Sequence, residues 1–507
     1  MTQTSTSQRA GIFEARIGRL TKRVASGGAI VLLGQILARG LSFGLQLLLS
    51  NVLGARSYGL YSLGMSLVEW SQQISQFGLA NALVRFVAAD KAAKDDGRVK
   101  GTILSAFLTA GALSMSSSAL LILLAPLLSE RYFGDPTFAS FLRWMALSVP
   151  LMVGLIMTQA VLRGFQRIGE MAGLGVLRSS LYICIAAVLF ELGARMEGAV
   201  ASLLVSALVA FSVGVHWVWR AQPQLFRGVS FQTRRLFRFS VPVYLAAMSF
   251  FFMSRVDILM VGYFLDPPSV GHYRAAVTVA SLVNFMLGVF NTAFAPMISE
   301  LYQRGDHKAL RHLYQTVTRW VFTAAFFACI AAIVHSGPIL SLFGPGFSQG
   351  ATALAILAVG QLVNAGVGSV GFFLQMTGRQ DWVLFNNAVN AALNVMLNLW
   401  LTPMWGLPGA ALATGLSLAL NNVMGLVEVW RFHRVQPWNS RYWPIIGAGI
   451  VAIGIGVAIP QGSFPWPLLF GLMAMCFVGT ILVFGLGPED RLLLEALKRR
   501  LRGRTGL

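Results

Sequence analysis

Charge is what this sequence has least of. Only 11% of its 507 residues are Asp, Glu, Lys or Arg, and just 19 are acidic. A water-soluble chain carries roughly 25% charged residues, so there are too few here to cover a water-facing surface. Cysteine is scarce too: the three, Cys184, Cys329 and Cys476, all lie in apolar stretches. That argues against a disulfide framework and against any cysteine–histidine metal site, and leaves small packing residues. No glycine-rich loop ends in Lys-Ser or Lys-Thr, so no phosphate cradle for ATP is indicated. No His-Glu-x-x-His occurs, and the six histidines are scattered. These absences argue against an enzyme or a primary pump, and no cofactor is expected. The N-terminal stretch lacks an early apolar core and cleavage site, so no removable signal peptide is expected.

What is present is apolar length. Hydrophobic residues make up 56% of the chain, and the mean hydropathy is +0.68. Apolar stretches of about 20 residues recur throughout, each long enough to cross ~30 Å of hydrocarbon as a helix. Within lipid the backbone must satisfy its own hydrogen bonds, and these stretches lack the alternation of barrel strands. The expected fold is an all-α polytopic membrane protein of about fourteen spans. They fall at 25–51, 57–86, 101–128, 138–162, 170–190, 198–219, 237–264, 269–298, 315–336, 349–377, 381–402, 407–430, 442–460 and 464–486.

The connections alternate in charge. Of 39 Lys and Arg residues, thirty fall before the first span, after the last, and in the even-numbered loops. The odd-numbered loops hold three, Arg56, Arg131 and Arg195. By the positive-inside rule both ends and the basic loops are expected in the cytoplasm, in a cytoplasmic (inner) membrane. The net charge of +20 therefore points to anionic lipid and topology, and no nucleic-acid partner is expected. Residues 1–24 and 487–507 read as basic amphipathic caps on the membrane surface.

The halves echo each other. Gly59-Leu60-Tyr61 matches Gly271-His272-Tyr273 at an offset of 212, Gly164-Phe165-Gln166 matches Gly378-Arg379-Gln380 at 214, and Gly198-Ala199 matches Gly409-Ala410 at 211. A six-helix unit repeated in parallel predicts two facing lobes. Residues 25–219 form the first and 237–430 the second, joined by a cytoplasmic linker at 220–236, with an extra helix pair at 442–486. Lobes of this kind rock to open a central cleft to either side.

Polar groups at membrane depth are costly, so each is a functional candidate. Gln35, Arg39, Ser42 and Gln46 share one face of the first span, at helical spacing. Ser62, Ser66, Glu69, Gln73 and Gln76 do so on the second, and Arg274, Thr278, Ser281 and Asn284 on the eighth. Arg39 and Glu69 sit about 18–20 Å along their helices at 1.5 Å per residue, where they face a cavity or pair with each other. Arg255 and Asp257, two residues apart on the seventh span, point to nearly opposite sides. Arg143, Arg178 and Arg319 are expected to snorkel from span ends. Asn387, Asn390, Asn394 and Asn398 stripe the eleventh span, a spacing that bridges neighbouring helices.

The segment SRVDILMVGYFLDPPSVGHYRAAVTVASLVNFMLGVFNTAFAPMISELYQRGD (254–306) resembles the start of the second half in polysaccharide-biosynthesis proteins. GQILARGLSFGLQLLLSNVLGARSYGLYSLGMSL (34–67) resembles that family's opening. These are the oligosaccharide-lipid flippases of the multidrug/oligosaccharidyl-lipid/polysaccharide (MOP) exporter superfamily. The resemblance implies a MATE-like two-lobe fold and flipping of a polyprenyl-diphosphate-linked oligosaccharide to the outer leaflet. It implies lipid contact throughout, with a polysaccharide polymerase and glycosyltransferases as possible neighbours. By the same resemblance Asp257 and Tyr273 fall on positions typical of the family, and Arg39 and Arg255 match its cationic cavity. Two other readings share the residues. A cation-coupled multidrug antiporter of the superfamily would use Glu69 and Asp257, but arginines beside them suit an organic cation poorly. A membrane glycan polymerase or ligase would need longer external loops.

Overall fold

The computed structural model describes the backbone of residues 2–223, 226, 228–231, 233–459, 465–485, 487 and 490. Side chains are described for the same residues apart from 2–38, 246, 249–255, 292, 293 and 296. Helix accounts for nearly all of it, and no strand occurs among the described residues. In chain order the segments are α1 (2–53), α2 (55–76 and Leu79–Ala92), α3 (Asp96–Leu127), α4 (Phe138–Ala146 and Ser148–Gly164), α5 (Ile168–Glu191) and α6 (Met196–Ala221). Then come α7 (Thr233–Phe264), α8 (Pro267–Val283 and Phe285–Gln303), α9 (His307–Val334), α10 (Ala351–Val367 and Val370–Met376), α11 (380–405), α12 (407–433), α13 (Trp443–Ala458) and α14 (Trp466–Thr480). Among the described residues nine helices are long and apolar enough to cross a membrane, ten with the bent α8 counted as one. The element order agrees with the fourteen spans read from hydropathy.

Glycine makes the tightest joints. Gly54 (φ 71°) turns α1 into α2, and Gly406 (φ 62°) turns α11 into α12. Both sit in left-handed territory that only glycine enters without strain.

The joints also expose the repeat. Lys94 and Gly305, Gln166 and Gly378, Gly193 and Gly406, and Gly134 and Gly344 are four pairs of positive-φ residues at equivalent connections. Asp95 and Asp306 then cap the next helices alike, accepting from the amides of Arg98 at 3.0 Å and Ala309 at 3.1 Å. The structure sets Gln166 against Gly378, an offset of 212, two fewer than the sequence match implied. The left-handed residue of the turn fixes this register more surely than residue identity does.

Helices α1–α6 and α7–α12 make two lobes with matching internal packing: α3 on α4, α4 on α6, and α5 on α6 recur as α9 on α10, α10 on α12, and α11 on α12. Helices α13 and α14 form a separate small core against α9, where Gly449 lies under Phe326 and Gly456 between Val334 and Met473. Arg319 of α9 does not snorkel. It is buried in a two-pronged ion pair with Asp490, both bonds 2.8 Å, and Trp320 Nε1 donates to the same carboxylate at 2.7 Å.

The lobes meet mainly through α1 and α2 against α8 and through α2 against α7. At the end carrying the charge-poor loops the contact is reciprocal. A Cβ on Gly59 would lie 1.9 Å from the Pro267 carbonyl oxygen, and one on Gly271 would lie 2.3 Å from that of Ala55. Ala55 and Pro267 stand at the same offset, 212, as the two glycines. Asn51 Nδ2 adds a bond to the Leu342 carbonyl at 2.7 Å, and Phe43 packs edge-on against Phe343. At the basic end Arg235 of α7 pairs with Asp90 of α2 at 2.8 Å, and Phe77 stacks on Tyr244.

Gly59→Ala is expected to lower unfolding stability by about 1–3 kcal/mol through overpacking. Gly40→Ala, where the added methyl meets open space, should stay within about 1 kcal/mol of wild type or gain from helix propensity. Thermal unfolding in detergent separates the two. The loop carboxyl of Asp135 supplies a pH test. Burial opposes its ionisation, but the Thr137 hydroxyl and amide and the Arg56 guanidinium outweigh this and hold it below its usual range. A depressed pKa stabilises the fold above the unfolded value, roughly 4, and that share is lost as pH falls through the folded value. Asp135→Asn should therefore lower the melting temperature at neutral pH, with the gap narrowing on acidification.

A cationic cavity between the lobes

One face of α1 and one face of α8 enclose a cavity of about 250 Å³ at the lobe interface. From α1 it takes Arg39, Ser42, Phe43 and Gln46, and from α8 Arg274, Val277, Thr278, Ser281 and Leu282. Each set repeats at three and four residues, so one helix face delivers it. The polar stripes of α1 and α8 therefore meet at one cavity, Arg39 on one helix and Arg274 on the other, while the stripe expected on α2 is not among its lining.

Local contacts hold the two cations apart from any carboxylate. The Arg39 guanidinium lies 5.9 Å from the ring centre of Phe285, just past the bend in α8. That bend is 49° and centres on Asn284, whose buried Oδ1 has no hydrogen-bond donor. Arg274 and Thr278 face the hydroxyl of Tyr58 on α2, which itself donates to Gln46 Oε1. No carboxylate lies within ion-pair distance of Arg39 or Arg274 among the described residues. An unpaired arginine in a bundle built for lipid is costly, and an anion between the two would relieve both.

The other expected residues are placed as follows. Arg39 and Glu69 do not pair; Glu69 is half-buried on α2, within electrostatic range of Tyr61. Gln73 is half-buried on the same helix. The side chains of Gln35 and Arg255 lie outside the described residues. Asp257 and Tyr273 do not line the cavity, as the family resemblance implied they would. They turn into the second lobe, where the Tyr273 hydroxyl donates to Asp257 Oδ2 at 3.0 Å and lies 3.0 Å from Thr414 Oγ1 of α12. The Ile258 amide donates to the other carboxylate oxygen at 2.8 Å.

Three groups were missed or misplaced. Tyr58 stands one turn before Ser62 on the same face of α2, so the polar stripe of that span reaches one turn further than the sequence reading took it. Arg178 sits in the middle of Ile168–Glu191 rather than near its end. It meets Met152 Sδ at 3.6 Å and faces the hydrogen-bonded hydroxyls of Tyr61 and Tyr182. The buried asparagine stripe of α11 is Asn386, Asn390, Asn394 and Asn398, with Asn387 turned partly away.

A family model described as polysaccharide biosynthesis protein matches residues 24–302, more than half of the chain. The chain belongs to that family. The MatE family model matches residues 242–400, inside the second lobe. A Haloferax volcanii protein named "Probable low-salt glycan biosynthesis flippase" is 25% identical over 397 residues, 77% of this chain and 80% of its own. Stage V sporulation protein B of Bacillus subtilis is 21% identical, with 92% of this chain and 96% of that protein covered. Among solved structures, the lipid II flippase MurJ in an inward closed conformation overlays with a TM-score of 0.72 at 12% identity, covering 90% of this chain and 98% of that one. An inward-facing multidrug resistance MATE family transporter of the MOP superfamily gives 0.67 at 15% identity, covering 78% and 94%. Likeness at this identity establishes the fold, the two-lobe membrane architecture expected from the repeat.

Tyr273→Phe removes a donor from the buried Asp257 carboxylate. It is expected to cost about 1.5–3 kcal/mol, the range for a hydrogen bond to a charged group. Chemical unfolding in detergent would show it, and unchanged stability would mean that the hydroxyl does not hold the carboxylate.

Proposed function

We propose that this protein is a flippase that carries a polyprenyl-diphosphate-linked oligosaccharide across the cytoplasmic membrane by alternating access. The observation that carries the reading is the pair of arginines, Arg39 and Arg274, that line one cavity from different lobes with no carboxylate within ion-pair distance among the described residues. Guanidinium groups match phosphate oxygens in geometry and charge. Ser42, Gln46, Thr278 and Ser281 add hydroxyl and amide groups suited to sugar hydroxyls. The family, and relatives named as glycan biosynthesis flippases, support the same substrate class. So does the succinoglycan biosynthesis transport protein ExoT of Rhizobium meliloti, 25% identical over 63% of this chain and 62% of its own. In this reading the basic loops and both ends are cytoplasmic. The first lobe (25–219) and the second (237–430) rock about the linker at 220–236, and the α13–α14 pair (442–486) rides on the second. No chemical step is assigned to the protein. A cleft walled by arginines disfavours an organic cation, which weighs against the multidrug antiporter.

Flipping of a fluorescent polyprenyl-diphosphate sugar in proteoliposomes tests this. Arg39→Ala and Arg274→Ala should each slow it at least about tenfold, since a charge-assisted hydrogen bond is worth about 1.5–3 kcal/mol. Arg→Lys variants should fall between. Normal flipping in both alanine variants would remove the arginines from the path. Cation efflux without lipid flipping would instead favour the antiporter.

A further inference from the structure

The second lobe holds a carboxyl that the cleft does not use. Glu428 lies near the basic end of α12 and is only 7% exposed. Asn386 Nδ2 of α11 donates to its Oε2 at 2.8 Å. No cation lies within ion-pair distance of it among the described residues. Beside it stand unused acceptors: Oδ1 of the same Asn386 and Oδ1 of Asn390 one turn on, both on buried side chains, have no donor.

An ionised carboxylate only accepts hydrogen bonds. Ionised, Glu428 would be a buried charge with one donor, next to an amide oxygen that also wants one. Protonation resolves both shortages. One carboxyl oxygen keeps accepting from the amide N–H while the other donates its hydrogen to the amide oxygen, closing a two-bond acid–amide ring. We infer that Glu428 is a proton-binding site within the membrane bundle, its proton held on Oε1 and shared with Asn386 Oδ1. Loading forms the Oε1–H bond and breaks one O–H bond of a hydronium ion at the basic face, which leaves as water.

The surroundings agree. Arg431 and His433 lie further along the same helix, Arg379 and Asp381 at the start of α11, and His307 at the start of α9. None of them bonds to Glu428. The His433 ring packs edge-on against Phe373 and Tyr302. Near it, α10 sets Val370 against Gly425 and Phe373 against His433, both apolar side chains.

A file of polar groups runs from this site toward the cleft helices. Asn394 Nδ2 donates to Ser417 Oγ at 2.9 Å, and Ser417 donates to the Thr414 carbonyl at 3.1 Å. The Thr414 side chain meets Tyr273, which holds Asp257. Asn390 and Asn422, both buried, lie between the two stretches along their helices. The helix pair that holds Glu428 thus reaches α8 through Thr414 and Tyr273, and α7 through Asp257. Its use as the coupling ion rests on the transport reading above.

Infrared spectroscopy of the purified protein at neutral pH tests the site without any substrate. Wild type should show the carbonyl stretch of a protonated carboxylic acid. The band should vanish in Glu428→Gln, persist in Asp257→Asn, and shift to higher frequency in Asn386→Leu, which takes away its amide partner. No such band in wild type, or one unchanged in Glu428→Gln, overturns the inference. In proteoliposomes, a proton gradient should accelerate wild-type flipping but not that of Glu428→Gln, which should still flip without a gradient. A gradient response retained by Glu428→Gln overturns the coupling role. Absence of all lipid flipping would sink the transport reading, while the infrared band still decides the proton site.

Discussion

The structure turns on two positive charges that have no carboxylate within ion-pair distance among the described residues of a helix bundle made for lipid. Arg39 and Arg274 come from different lobes, and their cavity exists only where α1 meets α8. Arg39 is exposed to the cavity and Arg274 half-buried, and a charge at membrane depth is costly, so such a pair survives best where a mobile anion visits or water enters. Much of the rest can be understood as keeping that meeting place intact. The Gly59–Gly271 contact brings α2 and α8 together backbone to backbone at the charge-poor end, and the Arg235–Asp90 pair ties the lobes at the other end.

The scaffold is close to two-fold, but its chemistry is not. Turns, caps and helix packing repeat from one lobe to the other. The ionisable groups at membrane depth do not. In the first lobe Arg178 stands at mid-helix facing a tyrosine pair. In the second, Asp257 and Glu428 are buried among tyrosine, threonine and asparagine. A duplicated fold thus presents one arginine from each lobe at the interface and keeps a file of acid and amide groups within the second lobe alone. That asymmetry lets an anionic cargo bind between the lobes while a proton binds inside one of them.

The spans were legible because apolar length and loop charge are local properties, readable residue by residue. The convergence of the Arg39 and Arg274 stripes was legible too, since polar residues at helical spacing have one face to share. Failures came where rotation or distance decides. Asp257 and Tyr273 sit on helices polar enough on several sides that only the packed rotation of α7 and α8 tells inside from cleft. Asn386 and Asn387 are adjacent, and the buried one is chosen by contact with Glu428, 42 residues on. Arg319 was expected to reach for the headgroups. Its partner Asp490 lies 171 residues away and forms no pattern with it.

The most direct test is a structure of the protein with a polyprenyl-diphosphate sugar bound. The account predicts the diphosphate between the Arg39 and Arg274 guanidinium groups, with sugar against Ser42, Gln46 and Thr278. A diphosphate seated elsewhere, with the two arginines still facing an empty cavity, would contradict it.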